Sequence, residues 1–296
     1  MGTPCRSPPW HCGLRSAGLT VTLSDLSNDD GKFSILAIDH RDSLRQFLRP
    51  DDPDSLGAEQ ITALKIELVS KISSLATGVM LEPEYSIPQV LDAGALPDGV
   101  GFLAALESQG YLDDPGAGVT TVLEGWSVDQ AAASGAASAK LLQSYHPDRP
   151  LARAQEAVAA GILADCRRVG LPLAMEPLFY DLDSPGDRPR VVVETARRFA
   201  ALGPDLLKLP YPGSPEACAE VTEIAGVIPW AMLSGGGTFD DFADQFTVAS
   251  DAGCSGFMVG RALWGEAVKA PADERPTIIS DVVRPRFEQL VAINER

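Results

Sequence analysis

The feature that most limits the fold of this chain is a regular alternation of short apolar runs with longer amphipathic stretches, beginning near residue 30. Short apolar runs are typical of strands buried on both faces, and amphipathic stretches between them are typical of helices that cover a parallel sheet. Eight strands are predicted, at residues 33–39, 78–83, 101–107, 138–145, 171–177, 205–210, 228–235 and 255–261.

Eight strand–helix repeats over roughly 265 residues match the size of one (β/α)8 barrel, so the predicted fold class is α/β, a single TIM barrel. An open Rossmann-type sheet is the main alternative. That fold needs a GxGxxG motif after an early strand, whereas the first strand is followed by "DHRDSL" at residues 39–44. The segment 108–137 is the least regular and is predicted to form a loop with one extra short strand.

Residues 1–24 are Pro- and Gly-rich and are expected to form a disordered N-terminal segment, or to lie upstream of the true start codon. Residues 25–296 are expected to form the barrel domain. The N-terminal segment lacks the apolar stretch of a signal peptide, and no run approaches the roughly 18 apolar residues that span a bilayer. A cytoplasmic location is therefore expected.

Charge and composition exclude several classes of partner. The net charge of -17 argues against broad contacts with nucleic acid or an anionic membrane. The five cysteines form no CxxC pair and the three histidines are scattered, so neither a disulfide nor a metal site is predicted.

Polar residues late in the predicted strands are the first candidates for an active site, because TIM-barrel sites gather at the C-terminal ends of the strands. These residues are Asp39, Glu82, Lys140, Glu176 and Lys208. Any one of the carboxylates has a plainer interpretation as the cap of the following helix.

Lys208 needs its own explanation, because it lies within the apolar run "DLLKLP" and a buried ammonium is costly unless it is paired or neutralised. Burial or a neighbouring cation such as Lys140 would favour the free amine, which can form a Schiff base with a carbonyl. Glu176, on the intervening strand, is then placed to move protons. A purely structural ion pair of Lys208 with Asp205 or Glu176 is the alternative.

A phosphate site is predicted after strands seven and eight. "LSGGGTFDDF" places glycines between a strand and a helix, where bare N–H groups converge on an anion. "MVGRALW" adds a glycine and an arginine one strand later. The predicted ligands are Gly235, Gly236, Gly260 and Arg261.

These stretches together resemble the class I aldolases of the tagatose-1,6-bisphosphate aldolase type and the related sulfofructose-1-phosphate aldolases. The matching stretches include "LAIDHRDSLRQFL", "MLEPEYSIP", "AMEPLFYD", "DLLKLPYP", "PWAMLSGGG" and "GCSGFMVGRALW", and they cover residues 30–268 in the family's order.

The resemblance implies a metal-independent lyase without a cofactor that cleaves a phosphorylated ketose to dihydroxyacetone phosphate and an aldehyde. It implies that Lys208 forms the Schiff base, that Glu176 performs acid–base work, and that Asp39 and Lys140 line the floor of the site. It also implies that Ser234, the glycines that follow it, Gly260 and Arg261 bind the phosphate. A homo-oligomer is expected, because oligomers are common among such barrels.

Further substrate contacts are expected from His40, Arg41 and Glu82. His40 stands where the family usually has glutamine, and "LPYPG" after Lys208 replaces a usual acidic residue, so the pocket for the far end of the substrate differs. Two alternatives stay open: the same imine chemistry on a keto-deoxy sugar acid phosphate, and a non-catalytic barrel that binds a sugar phosphate.

Overall fold

The chain forms a closed barrel of eight parallel strands that pair in sequence order, in a computed structural model that describes residues 22–108, 118–180 and 182–296. The predicted TIM barrel is thus confirmed, and each predicted strand is present. The strands are β1 (Phe33–Ala37), β2 (Gly78–Leu81), β3 (Gly101–Ala105), β4 (Ser138–Ser144), β5 (Leu173–Leu178), β6 (Leu206–Leu209), β7 (Trp230–Leu233) and β8 (Gly256–Val259).

Helices surround the strands and bury their apolar faces against the outside of the barrel. They are α1 (Asp42–Leu48), α2 (Ala58–Ile72), α3 (Ile87–Asp92), α4 (Val128–Ala133), α5 (Ala152–Val169), α6 (Arg188–Ala200), α7 (Pro215–Ala225), α8 (Phe239–Asp251), α9 (Arg261–Lys269), α10 (Arg275–Ile278) and α11 (Arg284–Asn294). None of the described helices is long and apolar enough to cross a bilayer.

The irregular segment 108–137 contributes little regular structure to the part of the chain that the structure describes. Val122 makes a single antiparallel bridge with Glu107, and α4 begins six residues later. The predicted extra strand is therefore reduced to one bridged pair, and residues 109–117 lie outside the described ranges.

The N-terminal end of the barrel is closed by a 3₁₀ turn, Leu23–Leu26, in which Leu26 is fully buried. A Cβ atom on Gly78 would lie 2.7 Å from Leu26 Cδ2, so the strand glycines make room for this side chain. Leu26 packs with an inner cluster that includes Ile35, Met80 and Leu206. The interior of the barrel is therefore apolar at this end, and residues 1–21 of the predicted disordered segment lie outside the described ranges.

The barrel closes where β8 pairs with β1, with Gly256 opposite Phe33. A Cβ on Gly256 would overlap the carbonyl oxygen of Phe33 and lie 2.7 Å from its Cβ. We expect Gly256→Ala to lower the free energy of unfolding by about 3 kcal/mol or more, because the backbone of the closing ladder must move. Urea unfolding measures the effect.

Gly161→Ala is the matched control. Gly161 lies in the interior of α5 with nothing near its Cβ position, so alanine there should raise the free energy of unfolding by roughly 0.5–1 kcal/mol. Equal stabilities of the two variants would contradict a steric role for Gly256.

Candidate active site

Five charged side chains meet inside the barrel at the C-terminal ends of the strands. Lys140, Glu176 and Lys208 project from β4, β5 and β6, and Asp39 and Glu107 each follow the end of a strand by two residues. Each of the five residues is less than one tenth exposed, from 1% for Lys140 to 9% for Asp39. Because buried charges are costly unless paired, their mutual distances decide what the cluster can do.

Lys140 is held by three carboxylates at once. Its Nζ lies 2.9 Å from Asp39 Oδ2, 2.7 Å from Glu107 Oε1 and 3.0 Å from Glu176 Oε2. Glu107 is itself fixed, because its second oxygen accepts the backbone N–H of Leu142 at 3.0 Å. Lys140 is therefore a fixed positive charge at the floor of the site.

Glu176 joins the two lysines. Its Oε1 lies 2.8 Å from Lys208 Nζ, while its Oε2 faces Lys140. The other partner considered for Lys208, Asp205, instead accepts the backbone N–H of Leu173 at 2.9 Å. Lys208 Nζ also approaches Met80 Sδ at 3.6 Å, so its amine is held between a carboxylate and an apolar wall.

The two lysines differ in their access to a ligand. Lys208 lines a cavity of about 450 Å³ at the mouth of the barrel, and it also lines a recess of about 40 Å³ beneath that cavity. Lys140 lines only the recess. Of the two lysines, Lys208 is thus the one whose amine a bound carbonyl can reach, and Lys140 is a charged neighbour at the floor of the site.

The electrostatics of the floor fix the charge states of Asp39 and His40. Burial opposes ionisation of Asp39, but the positive charges of Lys140 and Lys208 outweigh burial and hold the pKa of Asp39 far below its usual range. Burial, with the charges of Arg261 and Lys208, lowers the pKa of His40 to about 3 against the opposing effect of Asp39. Asp39 is therefore a carboxylate and His40 a neutral imidazole at physiological pH.

The predicted phosphate ligands lie together on one side of the large cavity, which is lined by Ser234, Gly235, Gly236, Gly260 and Arg261. Gly235 and Gly236 have φ values of 58° and 79°, a conformation that glycine adopts without strain. The Gly260 N–H lies 3.5 Å from Ser234 Oγ. The loops after β7 and β8 therefore form one continuous wall.

Arg261 faces this wall without a carboxylate partner among the described residues. Its guanidinium lies 5.9 Å from the centroid of the Phe47 ring, and a Cβ on Gly236 would be 3.5 Å from its terminal nitrogen. The arrangement leaves its N–H groups available to an anion.

Arg41 and Glu82, which the sequence suggested as substrate ligands, line neither the cavity nor its recess. Arg41 donates to Glu84 at 2.7 Å and to the Glu107 carbonyl at 2.6 Å. Glu82 is fully buried, with Lys65 Nζ at 2.5 Å. In this structure both residues therefore lie outside the cavity and its recess, and their contact with substrate stays a prediction.

Three functional or supporting residues were missed from the sequence. Glu107 follows β3 as Asp39 follows β1, so its strand-end position was a usable signal. Lys65 lies on the buried face of α2, four residues after Ile61 and three before Leu68. A lysine at this helical spacing among apolar residues was a weaker signal. Arg188 lines the cavity from the start of α6, where no strand pattern marks it.

A metal site has no support in the described ranges. They contain no group of three or more His, Cys, Asp or Glu side chains arranged to hold a metal ion.

The low pKa of His40 predicts a pH dependence of stability. Below its ordinary value of 6.5 the unfolded imidazole gains a proton, whereas the folded one stays neutral until about pH 3. Stability is therefore lost as the pH falls through this window, and at pH 5 the loss is about 2 kcal/mol. Between pH 8 and pH 5, the free energy of unfolding of His40→Gln should therefore fall by about 2 kcal/mol less than that of the wild type, as measured by urea unfolding. Identical losses in both proteins would contradict a neutral His40.

Comparisons with known proteins identify the family of this chain. Residues 33–266 match the model of the DeoC/LacD family aldolases. A tagatose 1,6-diphosphate aldolase of Staphylococcus haemolyticus is 28% identical over 281 residues, which cover 84% of this chain and 86% of that protein. The enzyme of the same description from Streptococcus agalactiae is 27% identical, with coverage of 83% and 85%.

A solved structure shares the fold. An archaeal fructose 1,6-bisphosphate aldolase superposes with a TM-score of 0.62 at 22% identity, covering 91% of this chain and 98% of that one. The family match spans most of the chain and includes all eight strands and the lysine cluster. The chain belongs to the DeoC/LacD family of aldolases.

Proposed function

We propose that this protein is a class I aldolase that cleaves a phosphorylated ketose through a Schiff base on Lys208, giving dihydroxyacetone phosphate and an aldehyde. The observation that carries the proposal is the position of the Lys208 amine, which lies against Glu176 and opens into the large cavity beside the glycine wall. The curated relatives named above are described as acting on tagatose 1,6-diphosphate, which supports a phosphorylated ketose as substrate.

The chemistry starts with transfer of a proton from Lys208 to Glu176, whose Oε1 is 2.8 Å away. The free amine adds to the C2 carbonyl, and loss of water leaves an iminium ion. When the C3–C4 bond breaks, its electron pair passes to the iminium and the C4 hydroxyl loses its proton, which releases the aldehyde. Protonation of the enamine at C3 and hydrolysis then return dihydroxyacetone phosphate and the free lysine.

Glu176 is the proton carrier in this scheme, because it is the carboxylate that lines both the cavity and the recess. Asp39 stays ionised, since its pKa lies far below the usual range, and it serves to hold Lys140 in place. Lys140 in turn fixes the second oxygen of Glu176. His40 contributes a neutral hydrogen-bonding group beside the reacting carbons.

The C1 phosphate is placed against Ser234, Gly235, Gly236, Gly260 and Arg261. Backbone N–H groups and a forked guanidinium are suited to a phosphate dianion. Anchoring this group holds C2 near Lys208, which contributes orientation as well as affinity.

A second anionic group at the far end of the substrate is supported by Arg188. Acidic residues outnumber basic ones by 41 to 24. Even so, two of the described arginines before the C-terminal residue, Arg188 and Arg261, contact neither a carboxylate nor a carbonyl; each lies over an aromatic ring instead. Both line the same cavity. Arg188 lies over the ring of Phe179, the residue after β5, at 5.3 Å, whereas Arg261 follows β8. We therefore assign a bisphosphorylated ketose as the preferred substrate class.

The Schiff base is tested by trapping. Incubation with dihydroxyacetone phosphate and borohydride should leave a stable adduct on Lys208, located by peptide mass spectrometry, and Lys208→Met should abolish both the adduct and carbon–carbon cleavage. Lys71→Met, on the exposed surface of α2, is the control and should keep both. Cleavage by folded Lys208→Met at the wild-type rate would overturn the proposal, and a folded wild type without any adduct would favour the non-catalytic barrel.

The far-end assignment is tested separately. We expect Arg188→Ala to raise KM for a bisphosphorylated ketose at least tenfold, the loss of one charge-assisted contact, while half-saturation with dihydroxyacetone phosphate in trapping stays unchanged. Arg190→Ala is the control, because Arg190 is engaged by Asp148 at 2.8 Å. An unchanged KM for Arg188→Ala would remove this residue from substrate binding and favour a substrate without a second phosphate.

A keto-deoxy sugar acid phosphate is the second candidate, and a panel of phosphorylated substrates assayed for aldehyde release separates the two. A cytoplasmic location and a homo-oligomeric state stay predictions.

A further inference from the structure

The segment after β1 forms a third side of the phosphate end of the cavity. Ser43 and Gln46, both in α1, line the cavity, and Phe47 contacts the Arg261 guanidinium. These residues are spaced by three and four positions, so they share one face of the helix. None of the sequence signals for phosphate binding pointed to this helix.

Ser43 carries a polar atom that the described residues leave unused. The side chain is 7% exposed, and its Oγ has no hydrogen-bond partner there. Leaving a buried hydroxyl without a partner costs about 1–3 kcal/mol, and such a group needs an explanation. The Arg261 Nε atom also lacks a hydrogen-bond partner among the described residues, and Arg261 lines the same cavity.

The contacts on either side of Ser43 fix its neighbourhood. Three residues before Ser43, His40 packs against Gly260, where an added Cβ atom would lie 2.7 Å from His40 Cε1. After it, the Phe47 ring contacts Arg261, and a Cβ on Gly265 would be 3.0 Å from this ring. Ser43 is therefore flanked in the sequence by residues that pack against the β8–α9 junction, and it lines the same cavity as Arg261.

We propose that Ser43 is a ligand of the substrate phosphate and donates its hydroxyl hydrogen bond to a phosphate oxygen opposite the glycine wall. The inference rests on the proposed phosphorylated substrate. Because α1 has only seven residues, the proposal concerns the side chain and not the helix terminus. The ligand class is a phosphate monoester dianion, and the free phosphate ion is its simplest probe.

Ser43→Ala is the test variant and Ser73→Ala its matched control. Ser73 also has a buried Oγ without a partner among the described residues, but it lines no part of the cavity. Each change removes one buried serine hydroxyl and nothing else, so both variants should fold. A hydrogen bond to a charged group corresponds to about tenfold in affinity.

Two measurements are needed. In borohydride trapping, Ser43→Ala should raise the half-saturating concentration of dihydroxyacetone phosphate about tenfold and leave that of unphosphorylated dihydroxyacetone unchanged. In calorimetric titration with inorganic phosphate, Ser43→Ala should bind about tenfold more weakly. The Ser73→Ala protein should match the wild type in both.

The outcomes separate this inference from the proposed function. Equal phosphate affinity in Ser43→Ala and the wild type would overturn the role of Ser43, whether or not an adduct forms. Equal weakening toward dihydroxyacetone with and without phosphate would also overturn it, because it would indicate a general distortion of the cavity. If the wild type forms no adduct, the proposed function fails, and the phosphate titration still decides the role of Ser43.

Discussion

The site depends on the bridge that Glu176 makes between two buried lysines. One carboxylate oxygen faces the amine of Lys208 at 2.8 Å, and the other faces Lys140 at 3.0 Å. Removing one partner of a buried ion pair typically costs 3–5 kcal/mol, because the other charge is left uncompensated. The bridge therefore holds the Lys208 amine in a fixed orientation, and Asp39 and Glu107 hold Lys140 in place.

The charge distribution explains how an acidic protein can receive an anionic substrate. With a net charge of -17, long-range attraction does not favour binding, so affinity must come from local groups. Most of the described arginines contact a carboxylate or a backbone carbonyl, for example Arg275 with Glu67 and Arg167 with Gly203. Arg188 and Arg261 contact neither, and each guanidinium lies over an aromatic ring, Phe179 and Phe47 respectively. Such contacts orient a cation without neutralising it.

The fold was predictable because each strand is buried on both faces and is therefore mostly apolar, which makes the strands visible in the sequence. Lys208 and Glu176 were predictable for the same reason, since charge inside an apolar strand is conspicuous. Glu107 is a charged residue two positions after the apolar strand β3, but it was not among the residues selected from the sequence. Arg188 and Ser43 lie in the first turns of helices, where polar residues are common, and only the packing of those helices shows that they face the cavity. Arg41 and Glu82 also follow strands but lie outside the cavity, because strand-end position does not reveal whether a side chain points into the barrel or toward neighbouring ion pairs.

The seam between β8 and β1 has a consequence for biogenesis. The phosphate end of the cavity combines His40 and Ser43, from the first repeat, with Gly260 and Arg261, from the last. A ribosome-bound chain that lacks β8 has only half of these groups, so its cavity is incomplete. Because a ligand stabilises the state that binds it, we expect substrate to favour barrels in which β1 and β8 have paired, and to protect these barrels from proteolysis.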